Sequence, residues 1–155
     1  MNEDRANGTG AWLAFEVAGQ AYAVPLAEVH EIIRPETAAP VPGAPTDVLG
    51  IISLRGSIVT VLDGCRRLGL DGGGRGPDER LLVFRGADEN VGLRIDALRD
   101  VMDLDLAELM PRPPGAASRD DDPVLGVLDC GDGFVTLLDA DKLCRPHQPA
   151  MEASA

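Results

Sequence analysis

Any chemistry in this chain has to come from a short set of side chains. The histidines, His30 and His147, stand alone in sequence, whereas a metal centre needs clustered ligands. Asp103, Asp105 and the run Asp120-Asp121-Asp122 could offer oxygens to a hard cation. The plainer reading of these acids is solvated loop. Ser53 and Ser57 lack the Gly-x-Ser-x-Gly setting of a hydrolase nucleophile. Cys65, Cys130 and Cys144 form no Cys-x-x-Cys pair, and Cys65 and Cys144 fall on apolar-flanked stretches where a thiol acts as a small core residue. No catalytic constellation results, and neither a cofactor nor a metal is expected. One group does stand out. Arg55 sits in Leu54-Arg55-Gly56-Ser57, between two apolar runs, and is the most exposed specific group that segment can present.

The element that must position Arg55 is Leu49–Asp63, LGIISLRGSIVTVLD. β-Branched residues dominate both runs, and only polar residues and glycine break them, which predicts a hairpin rather than a helix. Upstream, Trp12, Leu13, Phe15 and Val17 predict a strand, Gly19-Gln20 a turn, and Tyr22–Val24 a returning strand. Pro25 can open a helical turn over Leu26–Val29, with His30–Arg34 extended after it. Strand alternation there predicts His30 and Ile32 on one face and Val29 and Glu31 on the other. Were the second face outward, a valine beside an acid would suit an interaction surface. Pro35, Pro40, Pro42 and Pro45 mark an extended connection that cannot enter a sheet interior. Asp63 can cap a short helix over Gly64–Leu68.

Five glycines in Gly69–Pro77 mark a divider. The stretch has no Gly-Lys-Ser/Thr, so it reads as a linker and not a phosphate cradle. Beyond it the first half recurs. Trp12, Leu13 and Phe15 match Leu81, Leu82 and Phe84 at an offset of 69, and Tyr22 through Ile33 match Val91 through Met102. The offset then becomes 76: Leu49-Gly50-Ile51 meets Leu125-Gly126-Val127, and Val59–Asp63 meets Val135–Asp139. The extra residues fall within Pro111–Pro123. A register that keeps both the Leu-Gly pair and the Thr-x-Leu-Asp ending predicts an internal duplication. Each half is too small to bury a comfortable core. Two five-stranded barrels packed around a shared aliphatic core solve that problem and close the sheet edges. Opposite Arg55 and Gly56, the second half has Cys130-Gly131-Asp132-Gly133, a plain turn. This asymmetry makes Arg55 a candidate contact residue, the alternative being a solubilising loop residue.

Composition narrows the function further. The net charge of −12 argues against a nucleic-acid partner, because phosphate binding needs a basic patch. Aromatic residues make up only 3%, so the core is aliphatic. Unpaired cysteines suit a reducing compartment, the polar start MNEDRANGTG is no signal peptide, and no apolar run approaches the ~18 residues of a membrane span. The expectation is a cytoplasmic protein with no membrane insertion.

Taken in order, Phe15–Leu26 (FEVAGQAYAVPL), Val29–Ile33, Val41–Pro45, Gly50–Gly56 (GIISLRG) and Val59–Asp63 resemble the CheW-like domain, the chemotaxis coupling family. The likeness continues through Arg80–Leu109 and Val124–Leu143. Departures are Ser53 where the family usually has Asn, Thr60 where it usually has Pro, and Gly64-Cys65 where it usually has Leu-Arg.

The resemblance implies a mostly β fold of two SH3-like five-stranded barrels with short helices and no enzymatic activity. It implies a single domain over about 11–147, with barrel one at about 11–70, the glycine-rich connection at 69–77 and barrel two at about 78–147. Flanking it are a disordered start (1–10) and a flexible end (148–155). The implied role is an adaptor, recruited to receptor arrays, that bridges a CheA-type histidine kinase and the cytoplasmic tip of a methyl-accepting chemoreceptor. The kinase would dock through its own CheW-like regulatory domain, on the second barrel. Val29, Glu31 and Arg55 match positions associated with receptor and array contacts, and Gly56 would keep the hairpin tip tight. The departures leave open a chemotaxis-like pathway in place of swimming chemotaxis. The alternative from a different class is a small-ligand-binding or enzymatic β-barrel.

Overall fold

A computed structural model describes residues 9–70, 76–86, 89–111 and 122–145. The sequence expectations for residues 1–8, the middle of the glycine-rich connection, Asp120, Asp121, His147 and the tail 148–155 lie outside the described residues. Among the described residues ten strands follow one another: β1 (Thr9–Val17), β2 (Gln20–Pro25), β3 (Val29–Ile33), β4 (Val48–Leu54), β5 (Ser57–Asp63), β6 (Arg80–Arg85), β7 (Asn90–Ile95), β8 (Ala97–Asp105), β9 (Val124–Asp129) and β10 (Phe134–Leu138). Short helices α1 (Gly64–Arg67) and α2 (Ala140–Leu143) close the two halves at matched positions. Asp63 and Asp139 start them: each side chain accepts a backbone N–H, from Cys65 and Lys142 respectively, the ordinary N-cap arrangement. A 3-10 turn over Leu26–Glu28 follows Pro25, as the proline predicts.

Two differences from the sequence reading concern the first hairpin. Thr9 and Gly10, expected in a disordered lead-in, pair with Asp105 and Leu104 as the start of β1. The turn falls at Ala18-Gly19, both with positive φ (53° and 78°), and Gln20 already belongs to β2.

The larger difference lies in the strand order. The two five-stranded sheets run β8-β1-β2-β10-β9 and β3-β6-β7-β5-β4. Each SH3-like barrel therefore takes its first hairpin from one half of the chain and its other three strands from the other half. β1 lies antiparallel to β8, from Thr9↔Asp105 to Glu16↔Ala97, and β3 lies antiparallel to β6 in the same manner. β10 runs parallel to β2, and β5 parallel to β7. A division into barrels at 11–70 and 78–147 is thus corrected: the hairpins are exchanged across the divider. The physical reason is that repeat offsets record equivalence and not pairing, so they stay the same whichever barrel a hairpin joins.

Among the described residues, period-two alternation then builds three apolar clusters. Trp12, Ala14, Ala23, Leu104, Leu128, Val135 and Leu137 fill the barrel that holds β1. Ile52, Val59, Val61, Leu81 and Val83 fill the barrel that holds β3. Intervening residues point the other way. Leu13, Phe15, Val17, Tyr22 and Val24 meet Leu82, Phe84, Val91, Leu93 and Ile95 between the barrels, forming the shared core. Phe15 and Tyr22 stack there, with ring centroids 6.1 Å apart. Arg67, at the end of α1, joins the halves a second time. Its Nε donates to the Leu143 carbonyl (3.2 Å) and an Nη to that of Lys142 (2.8 Å), at the end of α2.

The repeated Leu-Gly pair also has a structural cause. Isolated bridges tie Ala39 to Ile51 and Met110 to Val127, so a connecting segment crosses each last hairpin at the same place. A Cβ on Gly50 would collide with the Ala39 carbonyl, and one on Gly126 with that of Met110. Only glycine lets the two backbones approach this closely.

Candidate docking site at a barrel mouth

The β4–β5 hairpin closes with Leu54 paired to Ser57, leaving Arg55 and Gly56 as a two-residue loop. Both have positive φ, 51° and 83°, as a type I′ turn requires. Space around Gly56 is open, so the demand there is conformational and not steric. A left-handed backbone costs a residue with a side chain about 1–2 kcal/mol, which Asn or Asp offsets best. An arginine held there is a backbone outlier at a protein surface, the kind that gathers at functional sites.

The turn aims Arg55 back at β3. Its guanidinium donates to Glu31 Oε1 at 2.5 Å, with the arginine side chain 72% exposed and the glutamate 18%. β3 and β4 are the two edge strands of their sheet, so this contact spans the seam where the barrel closes. The hydrogen bond from Arg55 holds the Glu31 carboxyl below the usual carboxylate range; partial desolvation opposes this, and the charges of Arg55 and His30 add to it. Arg55 is held still more firmly protonated by Glu31.

The structure brings Glu31 and Arg55 into contact at the turn that holds Gly56, but Val29 is elsewhere. The β3–β6 register shifts between Val29 and Glu31, so Val29 faces Phe84 of the shared core while Glu31 faces Val83 of the barrel interior. Directly paired residues lie on one face of a sheet. The bulge therefore puts Val29 and Glu31 on opposite faces, correcting the simple alternation. Val29 is half-buried, and the outward residues are His30, which meets Arg85 at 3.4 Å, and Ile32.

Two exposed apolar groups that the sequence reading did not single out stand near the pair in sequence: Ile32, next to Glu31, and Ile58, near the start of β5, 39% and 52% exposed. Ser53, one of the family departures, pairs with Ile58 and is itself exposed. Their counterparts in the second barrel, at the offsets given above, are Val101 and Phe134, 55% and 60% exposed. Comparing exposed positions between the halves would have revealed them, but burial cannot be read from one strand's alternation alone.

The second barrel's mouth differs electrostatically. Asp100 stands for Glu31, and the turn carries Gly131 with positive φ (92°) and then Asp132, which lacks it. That is the pattern of a type II′ turn. No arginine answers the acid at this turn. Among the described residues no three His, Cys, Asp or Glu side chains converge as metal ligands. Two of the thiols are held protonated: burial pushes Cys144 up to about 12, and desolvation followed by the charges of Asp132 and Asp129 raises Cys130. Cys65 and Cys144 pack against the shared core, as expected of small core residues. Among the described residues, no helix is long and apolar enough to cross a membrane.

Comparison with known proteins agrees with this architecture. The family model described as the CheW-like domain matches residues 11–147. A chemotaxis protein CheW of Rhizobium meliloti is 30% identical over 137 residues, spanning 88% of each chain. A CheW of Helicobacter pylori is 27% identical over 86% of this chain and 81% of its own. The crystal structure of the scaffolding protein TtCheW from Thermoanaerobacter tengcongensis superposes with a TM-score of 0.75 at 27% identity, covering 86% of this chain and 91% of that one. With its exchanged five-stranded barrels and a match that runs through both halves, the chain belongs to the CheW-like domain family.

Proposed function

We propose that this protein is a non-catalytic, cytoplasmic adaptor that couples a CheA-type histidine kinase to the cytoplasmic tip of a methyl-accepting chemoreceptor, in chemotaxis or a chemotaxis-like pathway. The observation that carries the reading is the Arg55–Glu31 pair across the barrel seam, an exposed cation on a strained turn, on a barrel that also exposes Ile32 and Ile58. An apolar ridge on a receptor helix would rest on the isoleucines, while its polar groups meet Arg55 at the rim. Charge at such a rim sets partner choice and orientation more than stability. Glu31 orients Arg55, and Gly56 keeps the turn tight. Val29 supports the site from beneath, through the core, and makes no direct contact.

The kinase's CheW-like regulatory domain is assigned to the other barrel, where Val101 and Phe134 are exposed beside Asp100 and Asp132. The test is a binding titration of the purified protein against a receptor-tip fragment and, separately, against the kinase regulatory domain. Arg55→Glu should weaken the first by tenfold or more and leave the second unchanged. Equal loss of both, or loss of neither, would overturn the assignment of this face to the receptor.

A further inference from the structure

The duplication supplies an internal control for a cleft that the coupling role does not use. In the barrel that holds β1, Trp12 pairs with Pro25, Leu109 lies against Gly126, and Leu137 is buried; together they help fill that barrel. The matched residues in the other barrel are Leu81 paired with Arg94, Ala38 against Gly50, and Val61. Three large side chains are thus replaced by smaller ones. The volume they leave is open: a cleft of about 400 Å³ lined by Pro35, Ala38, Leu49, Val61, Leu81 and Arg94, with Glu36 and Thr37.

Arg94 makes this more than loose packing. Its side chain is only 20% exposed, and among the described residues its ion-pair partner is Asp63, at 3.9 Å. That is beyond hydrogen-bonding distance. Asp63 is already engaged, since its Oδ1 accepts from the Cys65 N–H at 3.1 Å and its Oδ2 lies 3.6 Å from Arg66. A guanidinium has five donors in a planar fork that matches a carboxylate. Here that fork lines a cleft whose wall is part aliphatic and part polar.

We propose that this cleft binds a small aliphatic monocarboxylate, its acid group held by Arg94 and its chain lying on Ala38, Leu49, Val61 and Leu81. Glu36, exposed on the lining, adds a negative charge that disfavours ligands carrying more than one. The proposal is independent of the coupling reading.

The probe is hexanoate, titrated to millimolar concentrations while the methyl groups of Leu49, Val61 and Leu81 are followed by NMR. Saturable shifts are expected with hexanoate, shifts at least tenfold weaker with the dicarboxylate adipate, and none that saturate with hexan-1-ol. Ala38→Leu restores the bulk found at Leu109 and should abolish binding. Arg94→Gln should weaken it at least tenfold at an unchanged melting temperature, and serves alone if the leucine variant does not fold. The proposal is overturned by an absence of saturable shifts with hexanoate, by equal binding of hexanol, or by a response in either variant equal to that of the natural chain.

Discussion

Arg55 and Glu31 join the first and last strands of one barrel, a link between residues 24 positions apart in sequence and on opposite edges of the sheet. Because Arg55 is so exposed, the link carries little of the fold's stability, and exposed pairs in general contribute little. Arg55→Glu should therefore leave the melting temperature nearly unchanged while receptor binding falls. A variant that unfolds would show Arg55 to be structural.

The same pair fixes a pH dependence. The folded Glu31 carboxyl titrates below its ordinary value, so its contribution is complete above the unfolded pKa and is lost as pH falls through the lowered folded one. Receptor affinity should stay level from neutrality down to about pH 4.5, the usual carboxylate range, and drop below it. In Glu31→Gln the acid-side drop should be absent, with affinity low throughout; an unchanged profile would remove Glu31 from the site.

Arg55→Asn tests whether the turn trades stability for contact. Asparagine tolerates the left-handed backbone better than arginine, so the melting temperature should hold or rise while receptor binding falls. A lower melting temperature would show that the I′ turn is not strained by its arginine.

The Leu-Gly repeats make a stability prediction. Gly50→Ala and Gly126→Ala each force a methyl onto a neighbouring carbonyl, and should cost about 1–3 kcal/mol by denaturant unfolding, as overpacking does. Gly50 should be the more sensitive, because its φ of 150° is also strained for alanine. Losses below half a kilocalorie would mean that the crossing segments move aside cheaply.

Arg67→Ala removes, among the described residues, two hydrogen bonds from a charged donor that is 8% exposed. Bonds from charged groups contribute about 1.5–3 kcal/mol each, and unpaired buried carbonyls add a further penalty. A loss of about 3–6 kcal/mol is expected. Partner binding should be retained at temperatures where the variant stays folded; a neutral substitution would show that the helix ends do not need the clasp.

Much of this fold is legible in the sequence because its strands are short, amphipathic and repeated. The alternation of Trp12 to Val17 against Leu81 to Phe84 separates barrel interior from shared core, and the Leu-Gly and Thr-x-Leu-Asp landmarks locate the last hairpins. Arg55 is legible as an outlier, since an arginine interrupts an otherwise apolar hairpin. The exchange of hairpins is not legible, because residue types do not say which of two equivalent edges a strand will join. Nor is the bulge at His30, where no glycine or proline marks the extra residue and a single shift turns Val29 away from Glu31. The open cleft at Arg94 emerges only when matched side chains are compared in space.

The exchanged hairpins carry a consequence for the origin of the molecule. A single copy of either half, standing alone, holds a two-stranded ribbon and a three-stranded remnant that belong to different barrels. Such a copy could complete a barrel only by trading ribbons with a twin. An ancestor of half this length would therefore have been an entwined pair, and the glycine-rich connection reads as the tether that made two mouths of one kind into a single chain. Once tethered, the mouths were free to diverge: one holds Arg55 over Glu31, and the other turns a bare aspartate to the solvent.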